Sequence, residues 1–235
     1  MQTEKPIIVE FPLRGEWMLP NTPGTKVPSH GTEQLGQKYA YDFTQIDWRK
    51  KGLRFYSGSK LRYFLLGVPL RNCFCWGKEV YAPCDGTVIQ CEDGYKERQI
   101  VHLVSDMAVV LKNAFFFNIK KGWQPVLGNY LIMDCGNGIY AFLAHFLNDS
   151  INVKVGDNVK KGQLIGKVGH SGNSTAPHLH FHLMDNPDLL EANGIPCAFE
   201  SYEVFKENSW IPVTNGIPTD TERVRYNPSF NEKNN

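Results

Sequence analysis

Three histidines alternate with other residues in the segment APHLHFH, residues 176–182. Such alternation is typical of a β-strand, because residues i and i+2 of a strand point to the same face of the sheet. His178, His180 and His182 are therefore expected on one face, and the two apolar residues between them on the other. At about 3.3 Å rise per residue, neighbouring histidines lie about 6.6 Å apart and the outer two about 13 Å apart. A Zn–N bond is about 2.1 Å long, so at most two adjacent histidines can bind one ion.

Other residues that bind metals or transfer protons occur earlier in the chain. Asp42 lies in the alternating segment YAYDF, which predicts a strand with Asp42 on the face opposite the aromatic rings. His30 precedes this strand, and His145 lies in the apolar segment FLAHF. Taken one at a time, these side chains are also consistent with a surface carboxylate and with histidines that hydrogen-bond to backbone. His102 is expected to be structural, and His170 to be a loop residue.

The elements that must position these residues are mainly strands. Short apolar segments are separated by Gly, Asn and Asp, which is typical of an all-β fold with a compact antiparallel sandwich or barrel-like core. The strand candidates are residues 39–43, 80–89 with a turn at 85–86, 109–119, 130–133, 138–147, 153–168 with several tight turns, and 178–183.

The charge balance excludes some classes of function. The chain has 25 Lys and Arg against 24 Asp and Glu, a net charge of +1, which argues against a dedicated binder of nucleic acid or membrane surfaces. Residues 49–71 depart from this balance, with seven Lys and Arg, no Asp or Glu, and interleaved Phe and Tyr. This stretch is expected to be a solvated insertion packed over the sheet, and the alternative is a local surface for an anionic polymer.

Other sequence features concern the compartment. No segment reaches the roughly 18 apolar residues of a membrane span, and the apolar stretch at residues 6–9 is too short for a secretory signal peptide. The six cysteines show no regular spacing and are predicted to be reduced thiols. These features predict a protein that is cytoplasmic or released by a route without a signal peptide.

Several motifs occur together in one order along the chain. His30, Asp42 and His145 are followed by GQLIGKVG at 162–169 and by STAPHLHF at 174–181, which contains an H-x-H motif. With these residues the chain resembles the lysostaphin-type zinc metallo-endopeptidases, which cut peptide bonds in bacterial cell-wall peptidoglycan. The likeness covers roughly residues 28–183. It implies that family's duplicated hybrid motif, a compact antiparallel β-fold with the metal in a groove.

The resemblance also implies the roles of the site residues. It assigns His30, Asp42 and His180 as zinc ligands, which leaves one position of a tetrahedral ion for water, as in catalytic zinc sites. It assigns His145 and His178 to catalysis. We expect His178 to be the general base and His145 to stabilise the tetrahedral oxyanion, or the two roles to be exchanged.

Three features depart from the family's pattern. The family usually has His-x-x-x-Asp, whereas His30 and Asp42 are 12 positions apart, so a loop must bring them together and Glu33 is a competing carboxylate. The basic stretch lengthens the connection after Asp42, and it is expected to cover or reshape the groove. His182 stands where the family commonly has Glu.

The predicted organisation has three parts. Residues 1–27 form an extension packed on the core, residues 28–205 a metallopeptidase β-domain with the basic insertion at about 45–76, and residues 206–235 a C-terminal extension with a frayed end. The predicted activity is zinc-dependent hydrolysis of a peptide, in peptidoglycan as the resemblance implies, with no nucleic-acid partner and no membrane span. The alternatives are an inactive peptidase-like scaffold or regulator and a phosphocarrier-type β-domain.

Overall fold

A computed structural model of the chain describes residues 5–116, 118, 120 and 122–226. The C-terminal tail that was expected to be frayed lies outside the described residues from position 227 onward. The strands are β1 (Ile7–Val9), β2 (Gly15–Asn21), β3 (Tyr41–Thr44), β4 (Val68–Pro69), β5 (Glu79–Tyr81), β6 (Gly86–Glu92), β7 (Ile100–Val101), β8 (Asn129–Asp134), β9 (Tyr140–Phe146), β10 (Asn158–Val159), β11 (Leu164–Lys167), β12 (Leu179–Met184), β13 (Gly194–Ile195), β14 (Cys197–Lys206), β15 (Ser209–Gly216) and β16 (Val224–Tyr226). The helices are α1 (Lys60–Leu66), α2 (Leu103–Phe116) and α3 (Gln124–Leu127), with short 3₁₀ segments at Gln34–Tyr39 and Leu70–Asn72.

Most strands join one 12-stranded sheet in the order β1-β14-β16-β2-β3-β12-β9-β8-β6-β10, with β13 beside β12 and β15 beside β14. The pairs are antiparallel, except that β1 runs parallel to β14. β11 pairs with β5, and β4 pairs with β7, as two separate ribbons. The predicted all-β class is confirmed by this β-rich fold. None of the described helices has the length and apolar character needed to cross a membrane.

The core explains why β3 and β12 hold polar side chains on their other face. Tyr41 and Phe43 of β3 and Phe181 of β12 are fully buried and pack against Phe199 of β14 and Phe11. Because strand side chains alternate, burial of these rings turns the residues between them to the opposite face. The predicted arrangement of these two strands is therefore confirmed.

Residues 109–119 were predicted to form a strand, and this prediction is wrong. They belong largely to α2, which begins at Leu103 and ends at Phe116. The short apolar run at 108–111 satisfies the criterion for a buried strand, but apolar residues also recur at helical spacing over the longer segment. The connection between β6 and β8, residues 93–128, is thus long and contains β7, α2 and α3. We call it the helical insertion.

The prediction that all cysteines are reduced thiols is also wrong. Cys84 and Cys135 form a disulfide, whereas the other four cysteines are free. Pairing of Thr87 on β6 with Asp134 on β8 brings Cys84, two positions before β6, beside Cys135, which directly follows β8. The two cysteines are 51 positions apart in the chain, so their proximity follows from strand pairing and was not visible in their spacing.

Candidate active site

A cluster of two histidines and an aspartate forms across β3 and β12. His180 is paired directly with Asp42 in the antiparallel register, and its Nδ1 lies 2.9 Å from Asp42 Oδ1. His30 Nε2 lies 3.0 Å from Asp42 Oδ2. One ligand atom from each residue can be chosen so that all lie within 4.8 Å of one another. The structure thus brings together the residues to which the sequence assigned the metal.

The loop between His30 and Asp42 closes on itself. Ser29 N donates to Lys38 O at 3.0 Å, and the segment inside this closure contains the 3₁₀ turns of Gln34–Tyr39. The closed loop returns the chain to β3 beside its starting point, so His30 reaches Asp42 despite the long spacing. The competing carboxylate of Glu33 is 61% exposed and pairs with Lys38, and it lies outside the cluster.

Further contacts orient each of the three side chains. Ser29 Oγ lies 3.0 Å from His30 Nδ1, and Asn21 Nδ2 donates to Asp42 Oδ2 at 2.8 Å. His182 Nδ1 lies 3.1 Å from His180 Nε2. Partners of this kind fix the tautomer and orientation of metal-binding histidines.

The donor set fits a zinc ion. Two imidazole nitrogens and one carboxylate oxygen are ligands that zinc prefers, and three protein ligands are typical of catalytic zinc sites. Two atoms each about 2.1 Å from a tetrahedral ion are about 3.4 Å apart, and one ligand atom from each of the three residues lies within 4.8 Å of the others, so a small rearrangement brings them to that spacing. His30, Asp42 and His180 are therefore able to hold a metal ion.

His145 and His178 lie beside this cluster, with their ring centroids 4.6 Å apart. His145 is the extra residue of a β-bulge, because Ala144 pairs with Tyr130 while Phe146 pairs with Asn129. Its φ of +66° lies in the left-handed region, which is costly for a residue other than glycine and is found more often at functional sites. The bulge turns the imidazole toward the groove.

The two rings present the same nitrogen to the groove. His145 Nδ1 lies 2.8 Å from Ser171 O, and His178 Nδ1 lies 2.8 Å from Ala176 O. A carbonyl oxygen only accepts, so Nδ1 of each ring carries a proton and Nε2 of the neutral ring holds a lone pair. His178 Nε2 lies 3.6 Å from Asp42 Oδ1. Either ring can therefore accept a proton beside the candidate metal site.

Burial and mutual contacts shift the pKa values of the cluster. Burial alone raises the pKa of Asp42, but the charge of His178 and hydrogen bonds with His180 and His30 lower it well below its usual range. Burial lowers the pKa of His145 well below its usual range, and burial also lowers the pKa of His180. Asp42 is therefore ionised and these two imidazoles are neutral at neutral pH, and these are the states in which Asp42 and His180 can bind a metal.

Two cavities meet at the cluster. One has a volume of about 300 Å³ and extends toward α3. The other has a volume of about 280 Å³ and extends toward Leu53 and Phe55 of the basic stretch. Asp42, Thr175 and His178 line both cavities. The groove therefore continues on both sides of the cluster, with one insertion along each arm.

His170 lies in the loop between β11 and β12, as expected, and it is fully buried behind the site. His170 Nδ1 is 2.8 Å from Ser174 Oγ. Ser174 Oγ in turn lies 3.2 Å from His178 Nδ1 and donates to Ala176 O at 2.6 Å. The hydroxyl of Ser174 and Nδ1 of His178 therefore share one carbonyl, and His170 supports the loop that orients His178.

Asp106 of helix α2 and Arg98 extend this hydrogen-bond network beyond His170. Asp106 is fully buried, accepts a hydrogen bond from Arg98 Nε at 2.7 Å and faces His170 Nε2 at 3.6 Å. Arg98 also donates to the carbonyls of Gly172 and Ser174 at 3.1 and 2.6 Å. Sequence reasoning missed these residues. Arg98 lies 72 positions before His170, in an insertion that the sequence did not identify, and no spacing signal connects them.

Comparison with known proteins shows similarity to peptidases. Residues 117–192 match the model of peptidase family M23. The chain is similar to lysostaphin of Staphylococcus simulans, with 69% identity over 69 residues, 29% of this chain and 14% of that protein. It is also similar to the peptidoglycan DD-endopeptidase ShyA of Vibrio cholerae serotype O1, with 41% identity over 62 residues, 26% of this chain and 14% of that protein. The resemblance to lysostaphin-type peptidases predicted from the sequence is confirmed.

These similarities are limited to one part of each protein. The match spans only 14% of the length of either relative. The solved catalytic domain of lysostaphin from Staphylococcus simulans aligns with a TM-score of 0.38 and 20% identity, over 77% of this chain and 88% of that chain. The family match contains His145, His178 and His180. It begins at residue 117, so His30 and Asp42 lie before it.

Proposed function

From the match of residues 117–192 to peptidase family M23, we propose that this chain is a zinc-dependent endopeptidase that hydrolyses peptide bonds of peptidoglycan. The observation that carries the proposal is the cluster of His30, Asp42 and His180 in a groove, with two further imidazoles beside it. The names of the relatives, lysostaphin and a peptidoglycan DD-endopeptidase, support the substrate class.

His30 Nε2, a carboxylate oxygen of Asp42 and His180 Nδ1 are the atoms that would hold the zinc ion. When bound, zinc lowers the pKa of water from 15.7 to about 7 and polarises the carbonyl of the scissile bond. The lowered pKa of Asp42 keeps this ligand negative over the pH range in which such an enzyme works. Asn21 and His182 keep Asp42 and His180 in orientation through their hydrogen bonds.

His178 is the candidate general base. Its Nδ1–H is held by Ala176 O, so Nε2 is free to accept a proton from the attacking water and to return it to the leaving amine. His145 has the same arrangement through Ser171 O. A neutral His145 therefore accepts at Nε2, and it stabilises an oxyanion only after it has gained a second proton. Because burial lowers the pKa of His145, that second proton has to come from the attacking water in the course of the reaction.

The shape of the groove suits an extended peptide. Because the two cavities continue on either side of Asp42 and His178, a chain lying across the site would place one bond at the cluster and residues in both arms. Thr175 and the neighbouring small residues of the loop before β12 leave room for backbone there.

Substitution of His180 and His145 tests the proposal. We expect His180→Ala to lose both zinc and turnover, because it removes a ligand. We expect His145→Ala to retain zinc and to lose turnover by about 10²- to 10³-fold, the usual effect of removing one group that stabilises the oxyanion. The measurements are metal analysis of protein purified without chelator and mass analysis of fragments released from purified peptidoglycan.

His102→Ala is the matched control, since His102 lies outside the groove, and it is expected to retain zinc and turnover. Full zinc occupancy in His180→Ala would contradict the ligand assignment. No zinc and no fragments from the unmodified protein would favour the inactive scaffold. The 12-position spacing between His30 and Asp42 does not favour the inactive scaffold, because the loop closed by Ser29 and Lys38 brings the two residues together. A phosphocarrier would retain its function in Asp42→Ala, whereas the peptidase would not.

A further inference from the structure

Helices α1 and α2 expose apolar side chains to solvent. On α1, Phe64 is 58% exposed and Leu65 is 67% exposed. On α2, Val104, Met107, Leu111 and Phe115 recur at helical spacing and are 68%, 42%, 51% and 78% exposed. We call these six residues the apolar patch. Large exposed apolar surfaces are typical of interaction sites.

The two helices are neighbours, so their exposed residues belong to one surface. α1 leads into β4 and α2 follows β7, and Val68 of β4 pairs with Val101 of β7. His102 Nε2, just before α2, lies 3.2 Å from Phe64 O on α1. The inner face of α2 carries Asp106, which is buried, whereas the inner face of α1 carries Tyr63, which packs in an apolar cluster with Tyr56 and Val68. Helix α2 thus exposes apolar side chains while it buries a carboxylate, the reverse of a helix whose apolar face covers a core.

The two segments that carry the apolar patch contain exposed cations and few acidic residues. Residues 48–78 contain no Asp or Glu, and between Arg98 and Asp134 the only carboxylate is Asp106, which is buried. Lys60 and Arg62 of α1 and Lys112 of α2 are exposed. The near-neutral net charge of the whole chain therefore coexists with a local surface that carries cations and apolar side chains together.

We propose that the apolar patch docks this protein on the surface of an anionic lipid bilayer. Leu, Phe and Met side chains on a helix enter the boundary between headgroups and acyl chains, while Lys and Arg beside them bind anionic headgroups. A second copy of this chain fits less well, because two like-charged surfaces would face each other. The bilayer offers both the apolar environment and the opposite charge.

Docking at the apolar patch would determine where the groove lies relative to the membrane. Asn113 of α2 donates to Asn173 Oδ1 and to Pro125 O, and Asn173 and Val126 line the groove. α2 is therefore tied to the groove wall, so a bilayer bound by α1 and α2 would hold the groove close to the membrane. The docking proposal does not depend on the proposed peptidase activity.

Co-sedimentation with lipid vesicles tests the proposal with the full chain. We expect binding to vesicles of phosphatidylglycerol and phosphatidylethanolamine, and much weaker binding to phosphatidylcholine vesicles. The double variant Phe64→Ser/Phe115→Ser is expected to bind at least about tenfold more weakly, because it removes two large apolar side chains. Lys60→Gln and Lys112→Gln are each expected to weaken binding about fivefold, and added salt to weaken it further.

Leu190→Ser is the matched control, because Leu190 is 63% exposed and lies outside the patch. It should bind vesicles like the unmodified protein, and circular dichroism of all variants checks that they fold. Absence of binding to anionic vesicles would overturn the proposal, as would equal binding by the double variant. Self-association that the double variant abolishes, without vesicle binding, would identify a second copy as the occupant. Binding to a soluble polyanion but not to vesicles would identify a purely ionic site, and it would also overturn the proposal.

Discussion

The side chain of His182 faces the nitrogen of His180 that would carry the proton when a cation is bound. Without a cation, His180 Nδ1 carries the proton and donates it to Asp42 Oδ1. The tautomer of His180 that leaves Nδ1 free carries its proton on Nε2, and His182 Nδ1, 3.1 Å away, is placed to accept that hydrogen bond. The ring of His182 stacks on Phe142 with 4.8 Å between centroids. Packing therefore holds the acceptor in place.

His182→Phe isolates this hydrogen bond, because it keeps a ring over Phe142 and removes the acceptor. We expect zinc affinity to fall about 10- to 100-fold, the usual effect of losing a partner behind a metal-binding histidine. Competition titration against a chromophoric chelator measures the change. His102→Phe is the control and should leave zinc affinity unchanged. Equal affinity in His182→Phe and the unmodified protein would contradict the role assigned to His182.

The sequence predicted the positions of some site residues better than those of others. The shared face of His178, His180 and His182 follows from strand alternation alone. The placement of His30 beside Asp42 followed only from the family resemblance, because it depends on the loop closure between Ser29 and Lys38. No local sequence pattern predicts a backbone hydrogen bond between Ser29 and Lys38, which are nine positions apart.

At the scale of elements, irregularities of the sheet position the catalytic candidates. The bulge on β9 turns His145 into the groove, and the sequence FLAHF contains no signal that distinguishes a bulged strand from a regular one. Strands with clear alternation, such as β3 and β12, were predicted, whereas α2 was taken for a strand. An amphipathic helix is usually recognised because its apolar face is buried and its polar face is solvated. In α2 the apolar side chains are exposed, so this criterion did not apply.

Asp106 of α2 offers a test of how the helical insertion supports His178. Asp106→Asn keeps the size of the side chain but removes the charge that binds Arg98 Nε and faces His170. We expect kcat to fall severalfold with KM and zinc content unchanged, because the loop that holds His178 becomes less ordered. We also expect the free energy of unfolding to fall by about 2 kcal/mol, as for other buried hydrogen bonds to a charged group.

Steady-state kinetics, metal analysis and urea unfolding measure these effects. Asp149→Asn is the matched control, since Asp149 is exposed and Asn also tolerates its positive φ of 58°. A variant that loses stability but keeps kcat would show that Asp106 supports the fold only. Loss of zinc in Asp106→Asn would also contradict the role assigned here.

At the scale of the whole molecule, the β-core supplies the cluster and two insertions supply the surroundings. The basic stretch and the helical insertion each line one arm of the groove, and both contribute to the apolar patch. The terminal strands also join the large sheet, since β1 pairs with β14 and β2 with β3 and β16. The division at residues 27 and 205 stays a prediction.

Four buried histidines make the stability of the metal-free protein depend on pH. Burial lowers the pKa values of His145, His170, His180 and His182. Because these pKa values are lower in the folded chain than the roughly 6.5 of an unfolded histidine, the unfolded chain takes up protons first as the pH falls. Stability is therefore complete above about pH 6.5 and declines below it, by up to about 1.4 kcal/mol per pH unit for each histidine.

Asp42 and Asp106 have lowered pKa values, so their contributions are lost only below about pH 4, where unfolded carboxylates begin to take up protons. Urea unfolding of chelator-treated protein between about pH 7.5 and 5.5 isolates the histidines, because their unfolded pKa falls within this interval. We expect the free energy of unfolding to fall steadily over this interval, and His170→Asn to reduce the slope by the share of one histidine. A flat profile would show that these imidazoles gain protons equally in both states, and it would contradict their burial as neutral rings.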